Sequence, residues 1–344
     1  MSQVVYVGMS GGVDSSLTAA LLKEQGYGVV GVYMKNWTQD LPGMRCPWAD
    51  DLADAKRVAV QLEIPFKVYD FQTEYRQKVV EYMLDEYKSG RTPNPDIMCN
   101  QEVKFKLFLE MALADGADKI ATGHYAATHD GRLYRANDDM KDQTYFLYRV
   151  THKALEKTLF PLGIYQKSHV RENAEKRGLV TAQKKDSQGI CFVGSVGIHT
   201  FLGEFVTTEP GAIVERESGT TLGQHDGALF YTIGQRHGLD IGGGLPYYVV
   251  GKDMDSNIVY VSRNLNDEAM WRNELQLEDL HWIYEQPKDG EALTVRMRHR
   301  GALLPAKMYG ERLVLEQPER AATAGQSAVL YCDDECLGGG IVAY

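Results

Sequence analysis

The sequence predicts an α/β protein: an N-terminal doubly wound parallel sheet, then a small, mostly β central domain and a C-terminal β-barrel. Three observations carry that prediction. Residues 4–7, Val-Val-Tyr-Val, run straight into the turn Gly8-Met9-Ser10-Gly11-Gly12-Val13-Asp14-Ser15, after which Leu17, Ala20, Leu21 and Glu24 follow at helical steps. Strand-like and helix-like stretches alternate through the first half, the pattern of βαβ units with right-handed crossovers. Beyond about Gly203, short β-prone runs separated by glycines and polar turns take over. The expected boundaries are 1–202, 203–268 and 269–344.

The whole chain narrows the class. Its 344 residues, 44% hydrophobic and 24% charged, are ordinary globular values, and no apolar run is long enough to span a bilayer. The N-terminus enters a strand with no basic-then-apolar leader, so a cytoplasmic protein is expected. Five irregularly spaced cysteines form no disulfide framework, and with no CxxC pair no metal centre is expected. Cys332-Asp-Asp-Glu-Cys336 reads as a surface turn. A formal net charge of −10 argues against a non-specific nucleic-acid coat but leaves room for a local basic face.

In order, Gly26 and Gly28 stop the first helix and residues 29–34 read as a second, buried strand. Leu52, Ala55, Val58, Ala59 and Leu62 give a helix over 49–62, which Pro65 ends before a third strand at 66–71. A helix over 73–88 is broken at Ser89-Gly90-Arg91-Thr92-Pro93-Asn94-Pro95-Asp96, whose two prolines hold the segment extended and fix Asn94 and Asp96. The next helix, 101–114, puts Cys99 at or just before its N-terminus, where it is either a thiolate favoured by the dipole or a small residue packed behind the cap, and Asp96 on the rigid turn beside it favours the thiolate. A fourth strand at 118–122 ends in Gly123-His124-Tyr125. Lys141-Asp142-Gln143 lies in a polar turn, and helices follow around 152–158 and 168–177.

Later, runs at 211–214, 220–222, 230–233, 247–250 and 258–261 suggest a small antiparallel domain. Runs at 293–298, 305–308, 312–315 and 327–331 suggest a barrel. Arg296, Arg298 and Arg300 alternate, which on one strand would make a basic ridge, by default a solvated outer face and, on a chain of this net charge, the best candidate for a phosphate-backbone contact.

The chemistry gathers at the first loop. Glycines 11 and 12 let backbone N–H groups close on an anion at a helix start, so a phosphate is the natural ligand. No Gly-Lys-Ser/Thr follows, so this is not a Walker A loop. Ligands of such sheets bind beyond the carboxyl strand ends, where Met34 could lie against an adenine or simply pack, and Gly123 allows close approach of a nucleotide. His124 is equally open to contact or packing. Cys191, in Asp186-Ser-Gln-Gly-Ile-Cys-Phe192 after Lys184 and Lys185, is either a thiolate favoured by nearby charge or a buried structural residue.

The loop resembles the pyrophosphate (PP) loop of the ATP pyrophosphatases, with their adenine nucleotide alpha hydrolase-like fold. Over essentially the whole chain the sequence resembles the bacterial tRNA-specific 2-thiouridylases. The resemblance runs through Gly8 to Ser15, Gly90 to Asp96, Cys99-Asn100, Ala121-Thr-Gly-His-Tyr125, Lys141-Asp142-Gln143 and Asp186 to Phe192. It implies that ATP, with magnesium, binds Gly8, Met9, Ser10, Gly11, Gly12, Val13, Asp14 and Ser15, near Met34 and Gly123. It implies that O2 of the wobble uridine of tRNA (lysine, glutamate or glutamine type) is adenylated, and that a persulfide on Cys191 then attacks C2. Cys99 would be the second thiol, forming a disulfide with Cys191, and Asp96 an acid or base. Asn94, Pro95 and Asp96 would hold the base, while His124, Lys141, Asp142, Gln143, His299, Arg300 and Gln326 would touch tRNA. A cysteine desulfurase or sulfur-relay carrier would supply sulfur, and no membrane partner is implied.

Two rivals compete. An ATP-dependent amidotransferase or ligase would share the loop but has no use for Cys99 and Cys191. A non-catalytic nucleotide-sensing or RNA-binding protein has no use for Asp96 beside Cys99.

Overall fold

The computed structural model describes residues 2–43, 45–186, 197–242, 244–264 and 270–343. Alternation in the first half produces β1 (Val4–Gly8), α1 (Val13–Glu24), β2 (Gly28–Lys35), α2 (Trp48–Gln61), β3 (Phe66–Asp70) and β4 (Lys119–Ala121). A hairpin of β5 (Ala127–His129) and β6 (Arg132–Tyr134) follows, then β7 (Thr158–Leu159). Five strands form a parallel sheet in the order β3-β2-β1-β4-β7. The chain leaves β1 toward β2 and β3, then crosses back to β4, so β1 and β4 flank the point where connections diverge and a ligand crevice opens. Gly8 and Ala121 end those two strands side by side.

Residues 72–88 and 95–114 form two helical stretches, each with a π segment inside it, Arg76–Val80 and Cys99–Leu107. The second begins at Pro95, six residues before the expected 101. The same prolines that read as a break start a helix: Pro95 sits in its first turn, and the Asn94 side chain accepts the Asp96 N–H at 3.2 Å. Cys99 is therefore a full turn inside the helix. The position nearest the positive end belongs to Asp96, and the helix-start argument for a Cys99 thiolate does not hold.

The central domain contains β8 (Gly211–Glu215), β9 (Thr221–His225), β10 (Tyr248–Asp253) and β11 (Ile258–Ser262), in the order β10-β11-β8-β9. It is a mixed sheet, not the expected antiparallel one, because β8 and β11 run parallel with Ala212 opposite Ile258. The long 226–247 connection permits that crossover. Residues 230–233 are not a strand. A 3₁₀ turn at Ala228–Phe230 is followed by a tight turn in which Thr232 N–H donates to Gln235 Oε1 at 3.0 Å.

The last domain is a closed six-stranded antiparallel barrel, β12 (Trp271–Trp282), β13 (Ala292–Arg296), β14 (Leu304–Tyr309), β15 (Arg312–Arg320), β16 (Ser327–Cys332) and β17 (Glu335–Val342). Pairing of β12 with β17 closes it. Glycine permits that closure, since a Cβ at Gly338 would lie 2.1 Å from the His281 carbonyl oxygen. The β5–β6 hairpin of the first domain adds to the barrel sheet, with Leu133 opposite Cys336. Leu133, Tyr145 and Tyr148 pack in one core with Val329, Tyr331 and Cys336, so the first domain and the barrel share an apolar interior.

The basic ridge does not form. β13 ends at Arg296, which is only 4% exposed and pairs with Asp142 at 2.6 Å. Arg298 turns to Glu319 and the Arg320 carbonyl, while Arg300, at φ +61°, donates to the Met140 carbonyl at 3.1 Å. Alternation requires a continuing strand, and this one stops at its first arginine.

Candidate active site

At the carboxyl end of β1 the loop folds on its own hydroxyls: Ser10 N–H donates to Ser15 Oγ at 3.1 Å, and Ser16 Oγ donates to the Gly12 carbonyl at 2.8 Å. Gly11 takes φ +74°, and a Cβ there would stand 2.3 Å from the Asp51 carbonyl at the start of α2. Gly123, just past β4, lies so close to α1 that a Cβ would be 2.8 Å from Ser15 N. The loop is thus pinned between two elements at a helix start, a place that fits the phosphates of a nucleotide.

Lysines from later in the chain surround it. Lys167 Nζ donates to both Asp14 oxygens, at 2.7 and 2.8 Å, and to Asp186 at 3.0 Å. Asp186 also takes Lys141 at 3.0 Å and Arg171 at 2.6 Å, and Tyr125 donates to Asp14 at 2.7 Å. Lys184 bonds Asp51 and Asp54, each at 2.7 Å. Burial works to raise the Asp186 carboxyl, but Lys167 and Lys141 outweigh it and hold it below the usual range.

Across the crevice stands the helix that starts at Pro95. Burial pushes the Asp96 carboxyl up, partly opposed by Lys104, the direction an acid or base near neutrality needs. Asn100, 2% exposed, donates from Nδ2 to the Phe146 carbonyl at 3.0 Å, and the His299 ring lies 4.5 Å from that of Phe146. Burial, then Arg300, push His299 down to about 4, so its imidazole is neutral at pH 7. His124 is buried and also driven down, with Nδ1 2.7 Å from Thr122 Oγ1. Thr92, just before the prolines, is held by the Ala324 carbonyl of the barrel at 3.0 Å and meets Thr232 Oγ1 of the central domain at 3.1 Å. All three domains thereby fix the segment. Loop, lysines and helix enclose one cavity of about 810 Å³.

Three family models match the chain in succession, described as a tRNA methyl transferase HUP domain (residues 3–195), a tRNA methyl transferase PRC-barrel domain (199–263) and an aminomethyltransferase beta-barrel domain (272–342). The chain is 48% identical over 351 residues to the tRNA-specific 2-thiouridylase MnmA of Bacillus licheniformis, covering 98% of this chain and 94% of that one. It is 45% identical to those of Bacillus subtilis and Streptococcus thermophilus, with the same coverage. The chain belongs to the tRNA-specific 2-thiouridylase family. A 4-thiouridine synthetase–RNA complex with bound ATP matches more distantly, at 16% identity and TM-score 0.40 over 56% of this chain and 45% of that one.

The structure sorts the residues that the sequence singles out. Gly8, Met9, Ser10, Gly12, Val13, Asp14, Ser15, Met34 and Gly123 line the cavity. Asn94, Pro95, Asp96, His124, Lys141, Gln143, His299 and Arg300 line the same cavity. Asp142 is not brought there; its carboxylate is buried against Arg296 and Thr144. Gln326 lies in a separate cleft of about 210 Å³ with Arg298, Arg320 and Thr232, between barrel and central domain. Cys99, 2% exposed, lies beneath the wall and not on it. Cys191 lies outside the described residues. Sequence reading passed over Lys104, inside the π segment Cys99–Leu107, and Lys167, at the start of the helix Lys167–Lys176. Only their meeting in space distinguishes them.

Proposed function

We propose that the chain is an ATP-dependent tRNA uridine 2-sulfurtransferase acting on the wobble base of lysine-, glutamate- or glutamine-type tRNA. The observation that supports it is the single cavity holding a phosphate loop on one wall and Asp96, one turn from Cys99, on the other. The triphosphate lies along residues 10–15, taking Lys167 and Lys141 from their carboxylates, with adenine toward Met34. Among the described residues no three carboxylate, imidazole or thiol groups cluster, so magnesium would be carried by phosphate oxygens with help from Asp14.

A ring carbonyl is a poor electrophile until its oxygen becomes a leaving group. O2 of uracil therefore attacks the α-phosphorus, pyrophosphate departs, and the N3 proton passes to the Asp96 carboxylate. The terminal sulfur of a Cys191 persulfide, loaded by a cysteine desulfurase or a sulfur-relay carrier, attacks C2 and displaces AMP. Cys99 then attacks the Cys191 sulfur, so the Cys99–Cys191 disulfide forms as the sulfur left on C2 is released. Because Cys99 is beneath the wall, this last step requires the helix face to open.

The test is nucleoside mass spectrometry on an unmodified glutamate- or lysine-type transcript incubated with the protein, ATP, magnesium and sulfide. A 2-thiouridine product absent without ATP is expected. No thionucleoside and no pyrophosphate would return the chain to a binding role.

A further inference from the structure

Asp96, Asn100 and Lys104 stand four residues apart on one continuous helical stretch, and all three line the cavity. On an α-helix a four-residue step overshoots one turn by about 40°, so two such steps drift off a common line. Here the step from Asn100 to Lys104 lies within the π segment Cys99–Leu107, whose wider turn brings the same step back. Carboxyl, carboxamide and ammonium are thereby aligned along one face. Lys104 pulls the Asp96 carboxyl down and helps drive His124 down, and it shares the cavity with both.

On the proposed function, the target uracil meets this face. Its O2 can bond to phosphorus only as N3 loses its proton, because the adenylated ring has a C2–N3 double bond. As that proton leaves, negative charge spreads over O2, N3 and O4. We propose that Lys104 is a further catalytic residue, an ammonium aligned with Asp96 that stabilises the uracil ring as it gives up its N3 proton. In this step the N3–H bond breaks and the proton goes to the Asp96 carboxylate. The O2–P bond forms, the P–O bond to pyrophosphate breaks, and Lys104 keeps its own proton throughout. A preorganised charge at a developing anion contributes on the order of 10²–10³ in rate, and arginine can supply it where methionine cannot.

The test uses the full-length protein, Lys104→Met and Lys104→Arg, with tRNA carrying either uridine or 5-fluorouridine at the target position; fluorine makes N3 more acidic. ATP-dependent pyrophosphate release is followed, with KM for ATP and melting temperature alongside. Lys104→Met is expected to lose at least about 100-fold in kcat/KM for uridine tRNA. It should keep its KM for ATP, and at least tenfold of the loss should return with 5-fluorouridine. Lys104→Arg should retain most activity. Should Lys104→Met not fold, Lys104→Gln is read in the same way. An equal deficit with both bases, or a deficit confined to KM for ATP, would overturn the role of Lys104 alone. A wild-type protein releasing no pyrophosphate with either tRNA would overturn the proposed function and this inference with it.

Discussion

Gly123 carries more constraint than its size suggests. Any side chain there meets backbone, with Ser15 N at 2.8 Å and Asp14 C at 2.9 Å from a Cβ, so the loop and the start of α1 must shift. Gly123→Ala is expected to raise KM for ATP about tenfold or more, with overpacking costing about 1–3 kcal/mol of stability. An unchanged KM in steady-state pyrophosphate release would show that the nucleotide does not need this close approach. The need for small residues at the loop and at Gly123 was legible in sequence, since glycine after a strand has few other reasons to be there. The neutral histidines were not. His299 is pushed to about 4 by burial and by Arg300, with Arg296 and Lys141 adding to it and Asp142 opposing. His124, His225 and His281 are lowered mainly by burial. Each binds fewer protons folded than unfolded, so stability falls as pH drops below about 6.5, and for His299 the loss continues to about 4. Melting temperature against pH should fall through that window, and His299→Gln should flatten part of the slope. An identical slope in the variant would remove His299 as a contributor.

At the scale of elements, the chain departs from its periodicity where a distant partner intervenes. Arg296 belongs to an alternating series, yet it is buried because Asp142, from a loop of the first domain, also accepts from Thr144 and stands ready to take the charge. Nothing local in either stretch announces the pair. Removing one member leaves the other charge buried, so Asp142→Leu or Arg296→Met alone should destabilise by about 3–5 kcal/mol. The double variant should lose less than the sum of the two in urea unfolding. Strict additivity would mean the groups act independently. The helix from Pro95 teaches a related lesson, since a Pro-Asn-Pro stretch is both a break and a start. Only the Asn94 cap and the absence of a second barrier before Cys99 separate the two readings, and neither is a periodic signal.

For the whole molecule, three domains in the order α/β, mostly β and barrel were legible from where the apolar period changes. Their union was not. The strands β5 and β6 have three residues each, too short for alternation to register, and their barrel partner lies some two hundred residues later. That union matters because the segment leading into Asp96, which lines the cavity, is held from three sides, by Thr92 bonded to the barrel and touching the central domain and by Arg91 paired with Glu86 and with Glu278 of β12. With Leu133, Tyr145 and Tyr148 sharing a core with Val329 and Tyr331, neither domain keeps its interior dry alone. The first domain and the barrel should therefore unfold together. The four tryptophans allow this to be read, since Trp37 and Trp48 lie in the first domain and Trp271 and Trp282 in the barrel. In a Trp37→Phe/Trp48→Phe variant fluorescence reports the barrel, and in a Trp271→Phe/Trp282→Phe variant the first domain. In each, the urea midpoint by fluorescence should coincide with that by circular dichroism. A barrel melting apart from the rest would mean that its contacts with Thr92 and Arg91 can be lost while the catalytic domain stays folded, and the cavity would then owe its shape to the first domain alone.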